Sequence, residues 1–254
     1  MTHPTSTSAR RHLDERPDLA EQVQRLHVEG WPTFLRQNQD MGKLWHHLEQ
    51  EFGRYQFCYL SDDGAAIACG HAIPVPWNGA VEDLPADIVE VLRRGVEGRR
   101  RGERPTVLCA LAAIVTPSLK RRGMSRTILE TMRELAREAG LHSLIAPVRP
   151  NRKSDYPLIP MERYARWVRE DGAPFDPWIR THWRLGATFL TIAPRALVIE
   201  GTIAEWESWT GMEFPESGSY VVPGGLTPVE IDRRWDRGVY EDPNVWMRHE
   251  LGKP

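Results

Sequence analysis

Residues 107–115, VLCALAAIV, constrain this chain more than any other stretch. The run is apolar throughout, as a strand buried on both faces of a sheet must be. Thr116-Pro117 ends it, and Lys120-Arg121-Arg122-Gly123-Met124-Ser125 follows. Met124, Ile128, Leu129, Met132, Leu135, Ala136 and Ala139 then recur along one face of a helix that Gly140 closes. Residues 141–148 form a second apolar strand. The unit is therefore strand, basic glycine-containing turn, helix, strand. A helix start has unpaired N–H groups and the positive end of a dipole, so it favours anions. Gly123 lets the backbone come close to one, and the three cations add charge. The ligand implied is a phosphate or pyrophosphate. Neither the GxxxxGK[ST] spacing nor GxGxxG is present, so this is not a Walker loop or a dinucleotide fingerprint.

The rest of the chain sets limits. At 254 residues it holds one or two domains and needs no staples. Lys plus Arg is 33 against 35 for Asp plus Glu, which removes the main reason to expect a nucleic-acid binder. The longest apolar run is the strand at 107–115, well short of the ~20 residues a membrane helix needs. The opening MTHPTSTSARRHLDERPD has no apolar centre and is not a secretory signal. Cys58, Cys69 and Cys109 cannot build a disulfide framework and read as reduced, buried thiols of a cytoplasmic protein. Seven of ten tryptophans lie beyond residue 155, as large core side chains or as a lined pocket.

Along the chain, residues 1–17 read as a flexible N-terminal arm. Leu19, Val23, Leu26 and His27 recur at helical spacing up to Gly30, and Met41, Leu44, Trp45 and Leu48 repeat the pattern. Segments 55–60 and 65–73 form a hairpin about Asp63-Gly64. Residues 84–101 form an amphipathic helix with an arginine-rich end. After 188, segments 188–192 and 196–200 read as a hairpin, Thr202-Ile203-Ala204-Glu205 opens a short helix, and strands fall near 220–222 and 229–231. The segment GVYEDPNVWMRH has no assigned role.

These residues resemble the GNAT (Gcn5-related N-acetyltransferase) superfamily, in particular its larger biosynthetic members. That family carries Gln/Arg-x-x-Gly-x-Gly/Ala at the matching turn; here Lys120 and Ser125 depart from it. The resemblance covers about 18–200, with an insertion at about 152–176 and a C-terminal extension, 201–254, packed on the core. It implies a mixed α/β (α+β) fold, a mostly antiparallel sheet flanked by helices. The co-substrate would be acyl-CoA, acetyl-CoA above all, or a phosphopantetheine thioester, with no metal. Binding falls to Lys120, Arg121, Arg122, Gly123, Met124 and Ser125. Asn151 stands where the family's next signature begins, and backbone donors for an oxyanion fall around Ile114 and Val115.

The activity implied is acyl transfer to the amine of a small molecule by direct attack, with no covalent enzyme intermediate. Counting back from Gly186-Ala187 puts His182 where the family has its acid tyrosine. Imidazole could fill that role, since it titrates near neutrality. Candidates for the base are Glu162 and Asp155 in the insertion, Tyr156 and Tyr164 beside them, and His71. Trp77, Trp167, Trp178 and Trp183 could stack around a ring-bearing acceptor. No residues show metal-ligand spacing; His46 and His47 are adjacent on a helix and point apart. Two alternatives stay open. Arg99, Arg100, Arg101 and Arg104, with the turn cations, could dock an acyl carrier protein, or the fold could be a non-catalytic acyl-CoA sensor. A homodimer is compatible with either. No nucleic acid or membrane is implied.

Overall fold

The computed structural model describes residues 9–119 and 122–252. In chain order the elements are β1 (Ala9–His12), α1 (Ala20–Gly30), α2 (Gln39–Phe52), β2 (Gln56–Leu60), β3 (Ala66–Val75), α3 (Ile88–Arg100), β4 (Val107–Val115), α4 (Met124–Glu138) and β5 (Ser143–Val148). Then come α5 (Met161–Tyr164), α6 (Pro177–Arg184), β6 (Thr188–Gly201), α7 (Ile203–Thr210), β7 (Gly218–Tyr220), β8 (Val229–Asp232) and β9 (Arg237–Glu250). Local chemistry sets several starts. Asn38, Asp87 and Asp176 each accept a backbone N–H of the helix they precede. Thr202 and Glu205 close a reciprocal capping box on α7.

Among the described residues one sheet of nine strands runs β1-β2-β3-β4-β5-β9-β8-β7, with β6 on the other edge of β9. Its one parallel pair is β4 with β5; the rest are antiparallel. Helix α4 covers one face, burying Ile128, Leu129, Met132 and Leu135 against Leu108, Ala110 and Leu144. The opposite face carries α1 over Cys69, Ala112 and Ile114, and α2 and α3 over Ile73, Val107 and Cys109. The switch in parity along β4 comes from a bulge. His71 pairs with Ala112 but Ala72 with Ala110, leaving Leu111 extra.

Four expectations are corrected. Residues 9–12 of the expected arm form an edge strand on β2, and Leu13 is buried. Segments 188–192 and 196–200 do not fold back on each other; they are one strand, β6, kinked between Ala193 and Leu197. The tail from 201 is not only packed on the core, because β9 lies inside the sheet between β5 and β6. The four tryptophans do not gather either. Trp77 is buried on the α2–α3 side, Trp167 and Trp178 pack on the α4 side, and Trp183 is 49% exposed.

Candidate active site

Strands β4 and β5 pair at three positions only, Val107 with Ser143, Leu108 with Leu144 and Cys109 with Ile145. Beyond them β4 stays with β3 through Val115, and β5 stays with β9 through Val148. The facing edges therefore part and leave a wedge. Buried backbone groups need partners, so such a gap suits an extended ligand that can hydrogen-bond to both lips. The Leu111 bulge lies where the strands begin to diverge, and it puts Leu111 and Ala112 on the same face, toward α1–α3. Ile114 and Val115 lie further along, paired with Cys69 and Ala68 on one side and open to the wedge on the other.

The mouth of the wedge is the start of α4. Gly123 sits at its N-cap with φ of 86°, a left-handed conformation that favours glycine, and no side chain caps the helix. A Cβ at this position would meet nothing within 4 Å, and the first turn has no acidic residue. The turn is thus an open cradle of backbone donors, which fits a phosphate group. Arg122 is exposed, and Met124 and Ser125 form the half-buried first turn. Lys120 and Arg121 lie outside the described residues. Asn151 is exposed just past the end of β5, on the opposite lip.

The catalytic candidates are placed differently from expectation. His182 is 1% exposed; its Nδ1 shares a hydrogen bond of 2.9 Å with Nε2 of His249, and Trp178 packs edge-on against it. Burial, then the neighbouring His249, holds its proton affinity well below the ordinary range. His249 is opposite Leu144, four residues or ~13 Å before the end of β5, so His182 lies below the wedge. It is a buried framework residue. Glu162 is exposed in a shallow depression with Arg166, Phe189 and Thr191, beside β6 and two strands beyond β5. Asp155 is held by Arg152 at the surface. Tyr164 is buried and donates to Asp176. Tyr156, half-buried among Tyr164, Trp167 and Phe175, packs on the α4-face core that contains Ala110, Ala146 and Val148. The insertion therefore covers the α4 face. The arginine-rich end of α3 is largely neutralised, with Arg99 and Arg100 on Glu51, and Arg101 on Glu97 and Glu103.

On the other face, sequence reasoning found one partner of a pair. His71, opposite Ala112 at the bulge, is 1% exposed and shares an Nε2–Nε2 hydrogen bond of 2.9 Å with His27 of α1. Trp45 packs against both rings. Gln56 donates to the carbonyls of Phe52 and Ala72, so its oxygen accepts from His71 Nδ1. His71 Nε2 is then the acceptor and His27 Nε2–H the donor, which leaves His27 Nδ1 as a lone-pair site with no partner among the described residues. Burial, then the charge of Arg36, lowers His27 to about 4. Burial, then His27, lowers His71 as well. His27 had a signal in the sequence, since it falls on the apolar stripe of α1.

The floor between β5 and β8 is polar and tightly held. Arg149, the residue after β5, donates to both oxygens of Asp242 at 3.1 and 2.9 Å and to the Gly224 carbonyl at 2.8 Å. Tyr240 donates to the same carboxylate and accepts from the Leu226 amide. Lys153 is fully buried, with Nζ on the carbonyls of Tyr156, Pro157 and Leu226. Burial brings it down to about 8.

No family model matches the chain. It is 32% identical over 251 residues to the arginine N-acetyltransferase avaD of Aspergillus versicolor, a match covering 87% of this chain and 85% of that protein. Its fold superposes on the loading GNATL domain of CurA from Lyngbya majuscula with a TM-score of 0.65 at 16% identity, over 96% of this chain and 97% of that one. It superposes on the GphF GNAT-like decarboxylase in complex with isobutyryl-CoA with a TM-score of 0.61 at 18% identity, over 96% and 100%. No helix among the described residues is long and apolar enough to cross a membrane. With the parted β4–β5 pair, the glycine-led α4 and a relative at this identity over most of both chains, the protein belongs to the GNAT superfamily and is an acyltransferase of that kind.

Proposed function

We propose that this protein transfers an acyl group from acyl-CoA to an amine of arginine or a close relative of it. The observation that carries this reading is the wedge between β4 and β5 with the open α4 start at its mouth. The avaD relative supports an arginine-like acceptor. Gly123, Met124 and Ser125 present backbone N–H groups to the pyrophosphate, with Arg122 just before them in the chain. Ile114 and Val115 offer their free edge to the pantetheine arm, and Asn151 closes the opposite lip. The bulge at Leu111 is our choice for the oxyanion donors, in place of Ile114 and Val115, because it frees backbone groups where the strands begin to part.

The acceptor approaches from the α1–α2 face. Its nitrogen attacks the thioester carbonyl, forming the C–N bond as the C–S bond breaks. His27 Nδ1 takes the amine proton, and the Nε2–H to His71 lets the charge spread over the pair. Tyr156, on the α4 face, returns a proton to the departing thiolate. Acetyl-CoA with L-arginine should release free thiol and form an acetylated product of mass increased by one acetyl group. Absence of product with arginine, agmatine, ornithine and lysine alike would refute this reading.

A further inference from the structure

Arg36 lies in the one-turn 3-10 helix Thr33–Arg36 that joins α1 to α2. Its neighbours Phe34 and Leu35 are 1% and 5% exposed and lock the turn into the core formed with Leu197, Trp206 and Tyr240. The backbone of the turn is thereby fixed, yet among the described residues Arg36 Nε is buried with no hydrogen-bond partner, and no carboxylate pairs with the guanidinium. Leaving such a donor unmade costs free energy in the free protein. The other buried guanidinium described above, Arg149, has a carboxylate and a carbonyl. Arg36 has neither, and its charge bears on His27, the open end of the His27–His71 pair.

We infer that Arg36 is the anchor for a carboxylate on the acceptor, so that this site takes an α-amino acid in preference to the corresponding simple amine. The inference rests on the acceptor side assigned under Proposed function. A guanidinium fork matches a carboxylate in two parallel hydrogen bonds, and a half-buried, pre-positioned fork gains more from it than an exposed one. A cation is the competing occupant. The ligand atoms of His27, Cys69 and His71 lie within 4.8 Å of one another. But the two Nε2 atoms already bond each other, and Arg36 adds positive charge beside them, so the local field favours an anion.

The test compares L-arginine with agmatine, its decarboxylated counterpart, on wild type, Arg36→Gln and Arg36→Lys. In wild type the carboxylate should favour arginine by roughly 10- to 100-fold in kcat/KM, the range of a hydrogen bond to a charged group. Arg36→Gln should remove that preference mainly by raising KM for arginine and, by taking away a charge that lowers His27, should leave agmatine no slower than in wild type, while Arg36→Lys restores part of the preference. Equal loss on both amines, or a wild type that does not tell them apart, overturns the inference. Calorimetry with the same two ligands reads binding without turnover. If no amine is acetylated, the function proposed above fails, and carboxylate-dependent binding lost in Arg36→Gln still supports the anchor. Wild-type binding that is indifferent to the carboxylate overturns it in either case. Zinc titration of the wild type closes the alternative: stoichiometric binding lost in Cys69→Ser would make the cluster a metal site and overturn the anion reading.

Discussion

On the α4 face, nearly everything that touches the wedge comes from one stretch of chain, 107–148, and acts through backbone groups. On the α1–α2 face the polar cluster is made of side chains at 27, 36, 45, 56 and 71, carried by four elements and a connecting turn. The proposed donor side is a motif and the proposed acceptor side is an assembly. A strand, a glycine turn and a helix recreate an anion cradle wherever they occur in that order. A histidine pair fixed by a glutamine exists only after α1 has docked on β3. Binding of the donor should therefore tolerate many side-chain changes so long as Gly123 remains, whereas the acceptor side should fail at single positions.

The largest effect is expected where the two sides share a foundation. Asp242 is 2% exposed and is bound by Arg149 and Tyr240. Asp242→Ala leaves a buried guanidinium unpaired and should cost about 3–5 kcal/mol in denaturant unfolding. A loss under about 1 kcal/mol would mean that water reaches Arg149 and that the floor does not hold the wedge. Next, His27→Ala should lower kcat by roughly 100-fold, within the usual range for a general base, and leave acetyl-CoA affinity unchanged. A fall in donor affinity as well would erase the separation of the two sides.

Smaller effects concern the buried histidines. The folded values of His27 and His249 are lowered to about 4, so the unfolded chain binds protons there that the native one does not. Their contribution to stability is complete above pH 6.5 and is lost as the pH falls toward 4, at up to about 1.4 kcal/mol per unit for each. Urea unfolding between pH 7 and 5 should show this slope, and His27→Gln should remove its share. The smallest effect is expected on turnover in His182→Ala. Its partner is the buried His249, so stability should drop while kcat stays within about threefold of wild type. A kcat loss of two orders would restore His182 to the reaction.

The same contrast explains what could be read from the sequence. The apolar run at 107–115 became β4 with both ends in place, and the hairpin, α3 and α4 followed from period and punctuation. Strand β9 was missed because Asp242-Pro243-Asn244 interrupts its pattern with residues that usually mark turns. They are accommodated because β6 is kinked opposite them and β5 has already ended at Val148. His182 was assigned by counting from Gly186 across an insertion, which sets a position in α6 but not its height against β5. Glu162 was placed by its position in the insertion, and the insertion packs on α4 and β6 rather than over the acceptor side. Arg36 had no sequence signal, since an orphaned guanidinium is visible only once its neighbours are in place.

The separation of the two sides is tested most directly by titrating acetyl-CoA into wild type, Gly123→Glu and His27→Ala in a calorimeter, with circular dichroism to confirm the fold. Gly123→Glu puts a carboxylate in the anion cradle and a side chain on a left-handed backbone. The prediction is saturable binding by wild type and His27→Ala with equal affinity, and none by a folded Gly123→Glu. Undiminished binding by Gly123→Glu would show that the α4 start does not hold the donor and would contradict the account.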